Sequence, residues 1–144
     1  MALAQITDVG RTINAFAIET ISAGMFVKGS ANDDSVTSSG VASYAGDEIK
    51  VAKMDAAADD EFVVGIAMED ALSGEALTVV TEGLYVLPAQ DAITAGNSIS
   101  PSNDDDAFAN SVTVTGDGEE EFKIGRALTS ASASGTFIIA HLRI

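Results

Sequence analysis

The sequence predicts an all-β fold, a small β-barrel or sandwich built from two related halves, with short strands and little helix. Short apolar runs recur at roughly 8–12-residue spacing with turn residues between them, which is typical of barrels and sandwiches. No long segment shows the 3.6-residue apolar period of an amphipathic helix. A third observation is that the chain repeats its own pattern, which predicts the two halves.

Three segments occur twice in the same order. They are residues 21–27 and 93–99 (ISAGMFV, ITAGNSI), 62–67 and 122–127 (FVVGIA, FKIGRA), and 73–80 and 134–140 (SGEALTVV, SGTFIIA). The first pair is offset by 72 residues and the second by 60. The first copy therefore carries about a dozen extra residues, which we place near 41–60 as a surface insertion.

The strands are predicted in order from these runs. They cover residues 16–18, 25–27, 48–52, 62–67, 77–80, 84–87, 111–115, 122–127 and 136–142. Residues 81–83 (TEG) read as a hairpin connection between two strands, and Pro88 ends the second because it cannot donate to a ladder. We predict an N-terminal arm at residues 1–15 and one β-domain at 16–144, with copies at about 16–87 and 88–144.

Composition predicts a thin, aliphatic core in one domain. Hydrophobic residues make up 47% of the 144 residues, but many are Ala, aromatics are only 6% and Trp is absent. No stretch approaches the ~20 apolar residues of a membrane span. The N-terminus lacks the features of a signal peptide, so we expect synthesis in the cytoplasm without secretion. Without Cys there are no disulfides or thiolate sites.

The charge balance is strongly acidic. The chain has 22 Asp and Glu against 7 Lys and Arg, a net charge of −15. Such a surface repels phosphate backbones, so we expect no nucleic-acid partner. Self-repulsion at this charge is relieved at molar salt, where the Debye length falls to roughly 3 Å. The composition thus fits a high-salt environment, with an ordinary acidic protein as the alternative.

The sequence offers no credible catalytic site, so we predict that the protein is not an enzyme. His141 is the only His and lies in an alternating strand, which favours a packing or interface role. No Gly-x-Ser-x-Gly elbow accompanies it. Loop carboxylates are weak candidates for a Ca²⁺ site, namely Asp33, Asp34, Asp104 and Asp105. None fits EF-hand spacing, so we favour solvated acidic loops and expect no cofactor.

The repeated pattern resembles tailed-virus capsid decoration, or head cement, proteins. The residues that carry it are Ile21, Ala23, Gly24, Val27, Val64, Gly65, Ile66, Ala67, Ala71, Gly74, Glu75, Val79, Val80 and Gly83, with a looser second copy over 93–142. The resemblance implies a homotrimer on the outside of an icosahedral virion. There it binds the major capsid protein and stabilises contacts between its neighbours, with no membrane partner.

The surfaces that would make such contacts are predicted less specifically. A clamp of this kind can use a terminal arm that pairs with a neighbour's sheet edge. We therefore name Arg11, Ile13 and Phe16 as candidate partner contacts. The main alternative is a surface-displayed binding or adhesion module whose acidic loops bind Ca²⁺. A small β-barrel enzyme is disfavoured because no base and nucleophile pair is evident.

Overall fold

The computed structural model describes residues 10–29, 49–54, 63–102, 111–117 and 123–144. Across these residues the chain forms strands and no helix, which confirms the all-β prediction. The strands are β1 (Arg11–Ala17), β2 (Phe26–Gly29), β3 (Lys50–Lys53), β4 (Val63–Ala67), β5 (Ala76–Pro88), β6 (Ser98–Pro101), β7 (Val112–Val114), β8 (Gly125–Ala127) and β9 (Phe137–Arg143). A search of the described residues for a helix long and apolar enough to span a membrane finds none.

The strands close into two five-stranded barrels that share β5. The sheet runs in the order β1-β3-β2-β4-β5-β9-β8-β6-β7, and β1 also pairs with β5, which closes the first barrel. The second half of β5 pairs with β9. A parallel bridge from Ala89, just after β5, to Val112 of β7 closes the second barrel. Closure leaves each barrel without long unpaired edges.

The predicted hairpin at residues 81–83 is wrong. Those residues lie inside β5, a single strand of 13 residues that ends at Pro88. Its first half pairs with β1 and its second half with β9, so the strand passes from one barrel to the other without reversing. Gly83 lies opposite Leu142 in this ladder. The halves therefore meet within β5, whereas the sequence divided them at 87/88.

The two barrels repeat the same register. Phe26 pairs with Ile66 and Ile66 with Val80, while Ser98 pairs with Arg126 and Arg126 with His141. The parallel pairing of β1 with β3 is matched by the parallel bridge between Ala89 and Val112. In the second barrel, the second half of β5 therefore occupies the position that β1 occupies in the first barrel.

The repeated Ala-Gly turn closes each barrel in the same way. The N–H of Gly24 donates to the carbonyl of Ala67 at 2.8 Å, and that of Gly96 donates to the carbonyl of Ala127 at 2.8 Å. Both glycines have positive φ, at 87° and 95°, where side chains are disfavoured. This requirement explains why both copies keep Gly at this point of the turn.

The barrel interiors are matched almost position by position. The first is filled by Ala15, Ala17, Ile21, Val27, Val51, Ala67, Ala71, Leu77 and Val79. The equivalent positions of the second are Leu87, Ala89, Ile93, Ile99, Val112, Ala127, Ala131, Ile138 and Ala140. Alanines occupy four of the nine positions in each barrel. The thin aliphatic core expected from composition is therefore present in both.

The outer side of the first barrel packs against the second. Phe26, Ile66 and Val80 point away from the first barrel interior, yet they are at most 1% exposed. They belong, with Met54, to the same buried cluster as Tyr85, Ile124 and Leu142 of the second barrel. This contact joins the two barrels into one domain.

The insertion lies mainly before β3. Val51 of β3 follows Val27 of β2 by 24 positions, whereas the equivalent Val112 of β7 follows Ile99 of β6 by only 13. The first copy thus gains 11 residues between β2 and β3. The interval predicted from sequence, 41–60, instead spans β3 itself. The extra residues fall within 30–48, outside the described part of the chain.

Candidate functional site

The three predicted contact residues lie in β1 and do not form one surface. Ile13 pairs with Val79 and packs against the first barrel interior. Phe16 is three residues further along β1 and therefore lies on the opposite face of the strand. It pairs with Ala76 and lines a shallow surface groove of about 290 Å³. Arg11 is 84% exposed, and its Nε lies 3.4 Å from Glu82 Oε2. Ile13 thus faces the barrel interior, whereas Phe16 and Arg11 lie on the outer surface.

The predicted arm overlaps the first barrel. Residues 11–15 belong to β1, which hydrogen-bonds to both β3 and β5. Any free arm is thus confined to the residues before Gly10, and residues 1–9 lie outside the described part of the chain. The carboxylates considered for Ca²⁺ (Asp33, Asp34, Asp104 and Asp105) lie outside it as well. Within the described ranges, no group of three or more His, Cys, Asp or Glu side chains is arranged to hold a metal.

Basic side chains gather on the outer surface of β8 and β9. Arg126 and His141 are directly paired and both exposed. Arg143, two residues beyond His141, pairs with Glu82, which in turn contacts Arg11. All three arginines of the chain thus lie in one contiguous region. We call the outer surface that carries Arg126, His141 and Arg143 the arginine face.

Apolar side chains adjoin these arginines. Leu84 is half-buried and pairs with His141, and Ile139 pairs with Val86 in the neighbouring rung. Leu128 and Phe137 are 48% and 63% exposed. A surface that combines Arg with exposed aromatic and aliphatic groups has the composition of a protein interface rather than of an ordinary solvated face.

Carboxylates gather at the loops of the first barrel that follow β1 and β4. Each accepts a backbone N–H: Glu19 from Lys53 at 3.0 Å, Glu69 from Thr78 at 2.9 Å, Asp70 from Ala23 at 2.8 Å and Glu75 from Leu72 at 2.8 Å. We call the region of Glu69, Asp70 and Glu75 the acidic tip. It also exposes Ile18 and Leu72, at 41% and 60%.

The acidic tip contains a shallow groove of about 260 Å³. Its lining includes Asp70 and Glu75, with Leu72, Thr20 and Ser22 beside them. Each of the two carboxylates uses one oxygen for a backbone N–H, at Ala23 and Leu72 respectively. A groove with two carboxylates and an apolar wall suits a guanidinium group, whose planar donors match carboxylate geometry and whose stem is apolar.

The second barrel makes equivalent loop contacts without charge. Thr129 Oγ1 accepts the N–H of Ile139 at 2.8 Å, where the first barrel uses Glu69. Ser130 Oγ accepts the N–H of Ala95 at 2.9 Å, where the first barrel uses Asp70. Thr136 occupies the position of Glu75 and donates to the carbonyl of Ala133 at 2.6 Å. The turns therefore do not require carboxylates at the positions of Glu69 and Asp70, whereas Thr136 makes a different contact from that of Glu75.

Sequence reasoning missed both surfaces. The alternation of the last strand placed His141 with Arg143, but nothing local linked Arg126 to them because that contact depends on the register of β8 against β9. The acidic tip carried a signal, since aligning the two copies sets Glu69 and Asp70 against Thr129 and Ser130. A comparison of the copies for charge, rather than for apolar pattern, would have found it.

Comparisons with known proteins agree with this architecture. The chain is similar to the head fiber gp8.5 N base of bacteriophage phi29, with a TM-score of 0.56 and 16% sequence identity over 93% of this chain and 94% of that one. At that identity the likeness concerns the fold alone. No curated protein sequence matches the chain. The model of the phage cement protein family matches residues 28–142, which is most of the chain and runs from β2 to β9, so that only β1 and the start of β2 lie before it. The chain therefore belongs to the phage cement protein family, a family of structural proteins associated with the capsid.

Proposed function

We propose that this protein decorates the exterior of an icosahedral phage head, where it binds the major capsid protein and stabilises contacts between neighbouring subunits. The observation that carries the proposal is the family match over residues 28–142. Two closed barrels joined by a buried contact form a stiff support, as a cement protein needs. The chain adds charged and apolar surfaces at both barrels, which suits binding spread over many residues.

We also propose that the working unit is a homotrimer. Aliphatic side chains and alanines fill both barrel interiors, and the described part of the chain leaves Ile18, Leu72, Leu128 and Phe137 substantially exposed. Closed symmetric association would bury such groups and add to the stability of a thin core. The net charge of −15 supports a further proposal, that the head assembles in a high-salt environment.

The proposal is tested by adding the purified full chain to purified heads that lack it. We expect the chain to sediment with the heads and to appear by electron microscopy as added density on the outer surface, at sites between major capsid subunits. Heads with the chain bound should also resist heating or chelator treatment better than bare heads. Density inside the shell, or no sedimentation with heads, would contradict the proposal.

A further inference from the structure

We propose that the arginine face is a self-association surface: it binds the acidic tip of a second copy of this chain, so that the copies join head to tail. The inference rests on the trimer proposed above and names its interface. It follows from two differences between the barrels, each located at positions that the duplication makes equivalent.

The first difference concerns a row of side chains on the outer surface. In the first barrel the row is Phe26, Ile66 and Val80, and it is buried against the second barrel. In the second barrel the same rungs carry Ser98, Arg126 and His141. Arg126 and His141 are exposed in the described structure. The row that packs against another barrel in the first copy therefore has an equivalent in the second copy, where it is exposed and carries an arginine and a histidine.

The charge on that row has the opposite sign to the rest of the molecule. The chain carries a net charge of −15, yet all three of its arginines lie on or beside this surface. A partner that is complementary to it must be acidic and must also cover Leu128 and Phe137. The chain itself supplies such a surface at the acidic tip.

The second difference is the charge of the tip. Hydroxyls of Thr129 and Ser130 accept hydrogen bonds from backbone N–H groups equivalent to those that donate to Glu69 and Asp70 in the first barrel. The carboxylates of the first barrel are therefore not required for the turn, and they leave negative charge at a groove with an apolar wall. That chemistry matches an arginine flanked by apolar residues, which is what the other barrel presents.

The two surfaces lie on different barrels, so the contact is heterologous. Each copy offers one tip and one arginine face, and neither surface is complementary to itself. A heterologous contact forms a closed ring when its rotation closes and an open filament when it does not. A ring of three copies uses every tip and every arginine face, which agrees with the proposed trimer.

The test measures the mass of the full chain by sedimentation equilibrium over a wide concentration range. Wild type should associate, and Arg126→Glu should weaken association at least roughly tenfold, as expected for loss of close interfacial charge pairs. Asp70→Ser with Glu75→Thr should also weaken it, while retaining the side-chain types that the second barrel uses. Lys53→Glu, with the same change in charge as Arg126→Glu but at another surface, should leave association intact.

Mixing the two weakened proteins gives the sharpest result. The Arg126→Glu protein keeps its acidic tip and the Asp70→Ser/Glu75→Thr protein keeps its arginine face, so the mixture should form pairs that neither forms alone. A monomeric wild type, association unaffected by either variant, or no pairing in the mixture would each overturn the inference. Binding of the variants to heads is measured separately. Loss of head binding by Arg126→Glu with unchanged self-association would assign this face to the shell instead, while leaving the proposed decoration role in place.

Discussion

At the scale of single residues, Tyr85 shows how the contact between barrels sets a side-chain property. It lies at the end of the second barrel, 1% exposed, within the cluster that includes Phe26 and Ile66 of the first. Burial raises the pKa of its phenol above the ordinary value of 10.0, because the charged phenolate loses solvation there. The folded protein therefore favours the neutral form.

This shift predicts a loss of stability at alkaline pH. A group whose pKa is raised by folding contributes stability that is fully present below its unfolded pKa of about 10 and is lost as pH rises through the folded pKa. We expect the free energy of unfolding of wild type to fall more steeply above that pH than that of Tyr85→Phe. Urea unfolding at a series of pH values measures the difference. Parallel pH profiles for the two proteins would show that Tyr85 makes no such contribution.

Two glycines mark places where strands approach too closely for a side chain. A Cβ at Gly65 would clash with the carbonyl oxygen of Val80, and one at Gly125 with that of His141. Gly inside a strand often marks a close backbone approach. The positions are equivalent in the two barrels, so the constraint was duplicated with the fold.

Substitution of either glycine should destabilise the protein. We expect Gly65→Ala and Gly125→Ala to lower the free energy of unfolding by at least about 1–3 kcal/mol, because the clashing atoms belong to the backbone and cannot rotate away. Gly29→Ala is the matched control, since a Cβ there meets nothing within 4 Å. Equal stability of the three variants in urea unfolding would contradict this assignment.

At the scale of elements, equivalent strands serve different purposes. The row of Phe26, Ile66 and Val80 on β2, β4 and β5 is apolar and buried between the barrels. The equivalent row on β6, β8 and β9 carries a half-buried Ser98 and the exposed Arg126 and His141. The backbone pairing is the same in both. Which face of a strand is buried was therefore decided by the neighbouring barrel and not by the strand itself.

Exchanging residues between these rows should have unequal effects. Ile66→Arg would bury a charge with no partner in the contact between the barrels, and we expect it to cost more than about 3 kcal/mol or to prevent folding. The reverse change, Arg126→Ile, alters a position that is exposed in the single chain, and at concentrations low enough to keep the chain monomeric it should change stability by about 0.5 kcal/mol or less. Chemical unfolding measures both. Similar costs for the two exchanges would mean that the two rows are equivalent after all.

At the scale of the whole molecule, we consider the effect of net charge on stability and the effect of the N-terminal arm on head binding. A charge of −15 on 144 residues produces self-repulsion that salt screens. The carboxylates at the acidic tip add to this repulsion and are dispensable for the local turn. Substituting these carboxylates therefore lowers the net negative charge, so that the effect of charge on stability can be measured.

Stability should rise with salt. We expect the melting temperature to increase between ~0.1 and ~2 M salt, since the Debye length falls from about 10 Å to about 3 Å by 1 M. The variant Glu69→Thr/Asp70→Ser/Glu75→Thr, which moves the net charge from −15 to −12, should gain less over the same range. A melting temperature that is indifferent to salt in wild type would count against adaptation to high salt.

The proposed arm can be tested without disturbing the barrels. Because β1 begins at Arg11, removal of residues 1–9 leaves every described strand intact. We expect the truncated chain to melt at the same temperature as wild type but to bind heads more weakly. Full head occupancy by the truncated chain would show that these residues do not contribute to binding.

Much of the fold was predictable because it depends on local pattern. The duplication, the Ala-Gly turns, the strand glycines and the strand end at Pro88 are all visible in short segments of sequence. Each reflects a steric or hydrogen-bonding constraint on a few adjacent residues. The family match bears out the resemblance to cement proteins that part of this pattern carried.

The hairpin at 81–83 was predicted incorrectly, and the interval predicted for the insertion extends over β3, for a common reason. Thr81-Glu82-Gly83 has turn-forming composition, but β5 gains partners on both barrels by running straight through it. The insertion was placed by aligning motifs that flank it, and only the register of β3 against β2 locates it. In both cases pairing between distant strands outweighed local preference.

The sequence by itself determined that this protein is a duplicated β-scaffold, because turns and core periodicity are local and survive duplication, and its resemblance to cement proteins pointed to a phage head. Only the tertiary structure decided which surfaces face outward together. Arg11, Arg126 and Arg143 are far apart in the chain, and Ile13 and Phe16 are close, yet the first three gather and the last two point apart. The reason is that strand register, set by hydrogen bonding across the sheet, assigns each side chain its face and its neighbours.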